Sequence, residues 1–168
     1  MIRVHLIRWG GLAAILAGLL RGIASFTPTT ASVGLQIFYF AIDMLLLLAA
    51  LGVYTFRKQE TGRWGFVGIL LALIGGILLL GHDVVNALVF LYPVAAFLFA
   101  VGISVLAIRS WKAGTLPRWV SALLIASTLL GVLGFFVKGF DILFVISGVV
   151  FGIGFIGAGF TVWLQPVR

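Results

Sequence analysis

Residues 44–51 read Met-Leu-Leu-Leu-Leu-Ala-Ala-Leu, in the middle of an apolar run that extends from residue 33 to residue 56. A run of about 18 or more apolar residues is long enough to cross the ~30 Å hydrocarbon core of a bilayer as an α-helix. A transmembrane β-strand would alternate apolar and polar residues, and this stretch does not alternate. The run therefore predicts a transmembrane helix.

The rest of the chain has the same character. Of its 168 residues, 63% are hydrophobic and 9% are charged, whereas a soluble domain is roughly 45–50% apolar and about 25% charged. We therefore predict an all-α integral membrane protein in which residues 1–168 form a single transmembrane bundle. Six apolar runs predict six transmembrane helices, over residues 9–26, 33–56, 64–81, 84–108, 119–137 and 142–164.

Two of the predicted connections, residues 81–84 and 138–141, are so short that the spans on either side must form antiparallel hairpins. This assignment places Pro93 about nine residues inside the fourth span. A proline at that position would remove a backbone hydrogen bond and free a carbonyl one turn earlier.

The basic residues predict the orientation of the spans. Nine of the eleven Lys and Arg residues fall on one side, namely Arg3, Arg8, Arg57, Lys58, Arg63, Arg109, Lys112, Arg118 and Arg168. Lys138 is the one basic residue on the other side, and Arg21 lies within the first span. Because cytoplasmic loops are enriched in Lys and Arg, both termini are predicted to be cytoplasmic, in the inner (plasma) membrane of a bacterial-type cell. Basic residues that only flank spans do not predict a nucleic-acid partner.

The dipeptide Arg-Trp recurs at residues 8–9, 63–64 and 118–119, with a spacing of 55 residues both times. Each pair opens an odd-numbered span, so the sequence predicts three repeated two-helix hairpins, approximately residues 8–62, 63–117 and 118–168. The alternative is that Arg and Trp are simply common anchors at the membrane surface. Stripes of Gly and Ala, such as Gly10, Ala14, Gly18 and Gly22, are typical of closely packed membrane helices and would also suit a membrane protein partner.

Two ionisable residues lie inside predicted spans, and both are in the first hairpin: Arg21 and Asp43. Intramembrane charges are costly and are functional candidates by default. Arg21 could instead extend to the membrane surface, whereas Asp43 is too short to do so. Further polar residues fall in the same half of the bilayer, and together they predict an outward-facing ligand site made of Arg21, Gln36, Tyr39, Asp43, His82, Asn86 and Tyr92.

Catalytic and metal-binding patterns are not found in the sequence. The chain has no cysteine and two histidines, and it contains no paired carboxylates, HExxH motif, P-loop or nucleophile elbow. We therefore predict no catalytic residue, no metal site and no cofactor, although contact with lipid or a pigment stays open.

Two functions are consistent with the sequence. The first is a small membrane protein that binds or translocates a small solute or ion at the outward-facing polar site. The alternative is a non-catalytic accessory subunit that packs within a larger membrane complex.

The predicted topology can be tested with reporter fusions. Fusions after Lys58 and Lys112 should report the cytoplasm, and fusions after Thr29 and Lys138 should report the opposite side, because of the asymmetry in basic residues. A fusion after Thr29 that reports the cytoplasm would contradict the outward-facing site as well as the topology.

Overall fold

The structure is a computed structural model that describes residues 2–27, 32–56, 58–84, 91–137 and 141–164. These residues form six α-helices joined by short connections. The helices are α1 (Ile2–Ala24), α2 (Val33–Phe56), α3 (Lys58–Val84), α4 (Tyr92–Ala113), α5 (Arg118–Phe136) and α6 (Asp141–Leu164).

All six helices are long and apolar enough to cross a membrane. Their outward surface is apolar too, since large side chains such as Leu19, Ile77 and Leu129 are about half exposed or more. A soluble protein would bury such residues, whereas in a bilayer they face lipid tails. The predicted all-α, six-span membrane fold is confirmed at this level.

The junction between the third and fourth helices differs from the prediction. Residues 82–84 belong to α3, which ends at Val84, and α4 begins only at Tyr92. The predicted tight turn at 81–84 and the predicted bounds of the fourth span, 84–108, were therefore wrong, since this span covers Tyr92–Ala113. The polar residues His82 and Asp83 suggested a turn, but a helix satisfies its own backbone hydrogen bonds and can continue into the headgroup region with polar side chains.

Pro93 consequently has a different role from the predicted one. It lies in the first turn of α4, with Leu91 as the N-cap. The missing N–H of a proline costs nothing there, because the first N–H groups of a helix have no intrahelical partner. Pro93 therefore helps to start α4 and frees no carbonyl in its interior.

Each helix packs against the next one along the chain, and α6 packs against α1. The six helices therefore form a closed ring. We call the end where α1, α3 and α5 begin the basic end, because Arg8, Arg63 and Arg118 lie there. We call the other end the opposite end. α2 also packs against α6, although less extensively than the neighbouring pairs do.

Glycines allow the helix backbones to come together. A Cβ atom at Gly10 in α1 would overlap the backbone of Gly52 in α2, and one at Gly18 would overlap the Gly152 carbonyl oxygen in α6. In the second hairpin, a Cβ at Gly68 would lie 2.9 Å from the Gly102 carbonyl oxygen. Small residues are needed at these positions because apolar helices in lipid associate through close packing.

Polar contacts supplement this packing at two places. The hydroxyl of Ser104 in α4 donates to Thr128 Oγ1 in α5 at 2.8 Å, and Thr128 in turn reaches the Ala100 carbonyl at 3.2 Å. At the basic end, Arg109 Nε donates to the Thr61 carbonyl at 3.2 Å, next to Gly62, whose φ of 65° makes a kink in α3 after its first turn. Glycine tolerates this left-handed conformation without a steric penalty.

Two substitutions in the same helix test the importance of the glycine contacts. Gly10→Ala should lower the stability of the detergent-solubilised protein by about 1–3 kcal/mol, since the added methyl group overpacks the contact with Gly52. Gly22→Ala is the matched control, because a Cβ there meets no atom within 4 Å. Thermal unfolding followed by circular dichroism measures both, and equal losses for the two variants would contradict the role of close packing at Gly10.

Candidate functional site

Polar side chains from three helices meet near the opposite end of the bundle. The last turn of α1 and the turn after it contribute Arg21 and Thr27, the first half of α2 contributes Tyr39 and Asp43, and the first turn of α4 contributes Tyr92. All five residues are half-buried. We call this set the polar cluster.

Arg21 connects the three helices electrostatically. Its guanidinium group donates a hydrogen bond to the Tyr92 side chain, and its charge is attracted by Asp43. Arg21 is three residues from the end of α1 at Ala24, so its Cα is only about 4.5 Å below that end. The main packing neighbours of α1 are α2 and α6, whereas those of α4 are α3 and α5. The Arg21–Tyr92 contact therefore links two helices that are not direct neighbours in the ring.

Asp43 lies deeper than Arg21. It is ten residues from the start of α2 at Val33, which corresponds to about 15 Å along the helix. Gln36 and Tyr39 precede it at helical spacing, and all three are half-buried, as expected for one side of α2 that faces other helices. A carboxyl group at this depth must be protonated, paired with a positive charge or hydrated. The attraction to Arg21 therefore stabilises Asp43 inside the bundle.

Tyr39 and Thr27 close the end of α1. The Tyr39 hydroxyl lies 3.1 Å from Thr27 Oγ1, and Thr27 Oγ1 donates to the Ala24 carbonyl at 2.8 Å. The Tyr39 hydroxyl also reaches the Ala24 carbonyl at 3.5 Å. The last carbonyls of a helix have no intrahelical partner, so these contacts satisfy one of them. Tyr39 therefore ties α2 to the end of α1, in addition to any role in ligand binding.

The predicted site residues are thus placed in part. Arg21, Tyr39, Asp43 and Tyr92 come together, and Gln36 lies one turn before Tyr39. Asn86, which the sequence analysis placed in the site, lies outside the described residues. The backbone of His82 belongs to α3, but its side chain is outside the described part of the structure. The sequence analysis missed Thr27, because a threonine in a short connection carries no signal of its own.

Ser25 brings α6 close to the polar cluster. Its hydroxyl donates to the Arg21 carbonyl at 3.0 Å, and the same hydroxyl faces Gly148 of α6, where a Cβ would overlap it. Serine commonly bonds to the carbonyl four residues earlier in a helix. Gly148 therefore leaves the room that the Ser25 side chain needs between α1 and α6.

The polar cluster contains both signs of charge and several hydrogen-bonding groups. It combines one guanidinium group, one carboxyl group, two phenols and one aliphatic hydroxyl, with opposite charges that compensate each other. Among the described residues, no group of three or more His, Cys, Asp or Glu residues could hold a metal ion. A guanidinium group binds carboxylates and other anions, whereas a carboxylate binds amines and cations.

A cavity nearer the basic end is of a different kind. Its volume is about 10 Å³, close to that of one water molecule, and its lining is entirely apolar, with residues such as Ala50, Ile103, Leu124 and Phe155. A buried water needs two to four polar partners, and this lining offers none. The polar character of the opposite end therefore does not continue into this part of the bundle.

Comparison with known proteins adds no functional information. Neither protein-family models, nor curated protein sequences, nor solved structures give a significant match to this chain. The function must therefore be inferred from the residues and their geometry.

A double-mutant cycle tests whether Arg21 and Asp43 are partners. Arg21→Gln and Asp43→Asn should each lower the thermal stability in detergent, because each leaves the other charge uncompensated in a site where one charge costs about 2.5–3.5 kcal/mol. The double variant should lose less than the sum, with a coupling of about 0.5–3 kcal/mol. Strictly additive losses would show that Arg21 and Asp43 do not interact.

Proposed function

We propose that this protein binds a small solute or ion at the polar cluster near the opposite end of the bundle. The observation that carries the proposal is the meeting of Arg21, Asp43 and Tyr92 from three different helices. Interhelical stability alone does not require a charge here, because close packing at glycines already joins the helices. Costly charges that packing does not need are the residues most often kept for function.

The charge balance of the polar cluster favours one class of ligand. Arg21 and Asp43 together have no net formal charge, so a simple anion or cation would leave one of them without compensation. A zwitterion with a carboxylate and an amine can satisfy both groups at once, with the phenols of Tyr39 and Tyr92 as further hydrogen-bond partners. We therefore propose a small zwitterionic solute as the best match, with a simple anion or cation as the competing ligand.

The proposed setting is the inner membrane of a bacterial-type cell, with cytoplasmic termini and the polar cluster facing outward. The asymmetry of the basic residues supports this orientation. The cavity toward the basic end is small and apolar, so it offers a polar solute no path through the bundle. This supports binding of the solute more than its translocation. Translocation would need the helices to rearrange there.

We also propose that the three hairpins are repeats. Close contacts join Gly10 to Gly52, Gly68 to Gly102, and Val120 to Gly157. The 55-residue period of the Arg-Trp pairs supports this proposal.

An accessory role in a larger complex is the second candidate function. The small-residue stripes that suggested a partner are largely used within this chain, since Gly10, Gly18 and Gly52 all contact other helices of the same bundle. In the stripe of α1, Gly22 is the glycine with open space around it. These contacts weigh in favour of the binding function.

The binding proposal can be tested by ligand-induced stabilisation. A ligand that binds the folded state raises the unfolding temperature, by an amount that corresponds to about 2.7 kcal/mol at one hundred times its dissociation constant. Glycine betaine and alanine serve as zwitterions, sodium acetate as an anion and choline chloride as a cation. We expect stabilisation by at least one of the zwitterions, and stabilisation by acetate or choline alone would favour the competing ion.

The three tyrosines of the chain provide matched variants for this experiment. Tyr92→Phe removes the hydroxyl that Arg21 contacts, so it should reduce the ligand-induced stabilisation. Tyr54→Phe is the control, because Tyr54 lies near the end of α2 at the basic end. Equal reductions in both variants, or no stabilisation by any of the solutes, would contradict the proposed site.

A further inference from the structure

A groove of about 330 Å³ lies on the outer surface between α5 and α6. It occupies the half of the bundle toward the basic end, far from the polar cluster. Its lining residues are Pro117, Trp119, Ile153, Ile156, Gly157, Phe160, Thr161 and Leu164. A Cβ at Gly157 would overlap the Trp119 ring, so the glycine lets this ring lie directly against the α6 backbone.

The groove is apolar along its length. The one hydroxyl among the lining side chains is that of Thr161, which donates to the Gly157 carbonyl at 2.8 Å and so is satisfied within α6. Trp119, Phe160 and Leu164 are each about half exposed or more. In a membrane, this surface is open to lipid tails and not to water.

The length of the groove corresponds to one leaflet. The lining extends along α6 from Leu164 back to Ile153, eleven residues away, which is about 16 Å at the helical rise. One leaflet contributes about half of the ~30 Å hydrocarbon core. A single acyl chain that enters from the basic end would fit this length, whereas an extended pigment that crosses both leaflets would be too long.

The mouth of the groove is basic. Arg118 is exposed and lies between Pro117 and Trp119, which both line the groove. Lys112, at the end of α4, is exposed at the same end of the bundle. Between residues 112 and 164 the single acidic residue is Asp141, which begins α6 at the opposite end. A phosphate group at this mouth would therefore meet the positive charges of α4 and α5, while the exposed Glu60 lies at the same end in the first turn of α3.

We propose that this groove is a binding site for an anionic phospholipid of the leaflet at the basic end. One acyl chain lies between α5 and α6 against Trp119 and Gly157, and the phosphate headgroup contacts Arg118. This site is independent of the proposed solute site, since the two share no residue and lie at different ends of the bundle.

Fluorescence quenching by brominated lipids tests this site. A variant that keeps Trp119 as its single tryptophan is reconstituted in phosphatidylcholine vesicles that contain a small fraction of either brominated phosphatidylglycerol or brominated phosphatidylcholine. We expect several-fold stronger quenching by the anionic lipid. A second variant that keeps Trp9 alone is the matched control, because Trp9 also follows an exposed arginine and is not part of the groove.

Comparing the Trp119 and Trp9 variants distinguishes lipid binding in the groove from general attraction of anionic lipids to a basic surface. Preference for the anionic lipid at Trp119 but not at Trp9 supports the proposal. The same preference at both tryptophans would show simple surface electrostatics and overturn it, and so would equal quenching of Trp119 by both lipids.

Native mass spectrometry tests the same site in a protein that keeps all five tryptophans. The protein is released from detergent micelles that contain both lipids, and the bound phosphatidylglycerol is counted. Arg118→Gln should reduce its apparent affinity by about fivefold, the effect of one basic residue at a membrane surface. Arg118→Lys should retain most of it, and Arg8→Gln is the control. Equal losses for Arg118→Gln and Arg8→Gln would overturn the proposal.

Discussion

In a bilayer, no hydrophobic effect draws apolar helices together, because lipid tails are as apolar as the helix surfaces. The helices of this protein must therefore gain their association from van der Waals contact at short distance. Gly10 against Gly52, Gly18 against Gly152 and Gly68 against Gly102 provide that contact between three pairs of helices. The order of the helices in the bundle, and hence the position of every polar group, depends on these close approaches.

Close packing also explains where polar residues are found. Hydroxyl groups such as those of Ser104 and Thr128 bond across α4 and α5 or to carbonyls of their own helix, so they add little cost inside the membrane. Arg21 and Asp43 are different, because a charge cannot be satisfied by a single backbone carbonyl. Their positions on α1 and α2, with Tyr92 on α4, bring these charged and polar groups together near the opposite end of the bundle.

The two proposed sites reflect this division of the molecule. At the opposite end, balanced charges and phenols from three helices suit a small polar ligand. Toward the basic end, Trp119 and Gly157 form an apolar groove beside Arg118, which suits a molecule with a long apolar chain and a negative headgroup. The solute site depends on charges that helix packing does not require, whereas the groove depends on the packing of Trp119 against Gly157.

The sequence by itself determined the membrane class, the all-α fold and the number of spans, because apolar runs of 18 or more residues leave a chain no other stable structure in lipid. It also identified Arg21 and Asp43, since any charge inside such a run is conspicuous. It did not determine where α3 ends and α4 begins, because His82 and Asp83 are compatible with both a turn and a helix at the membrane surface. Only the tertiary structure brought Tyr92 to Arg21 and Tyr39 to Thr27, and placed Trp119 against Gly157. These contacts depend on how helices pack and rotate against each other, and periodicity within a uniformly apolar helix does not reveal that.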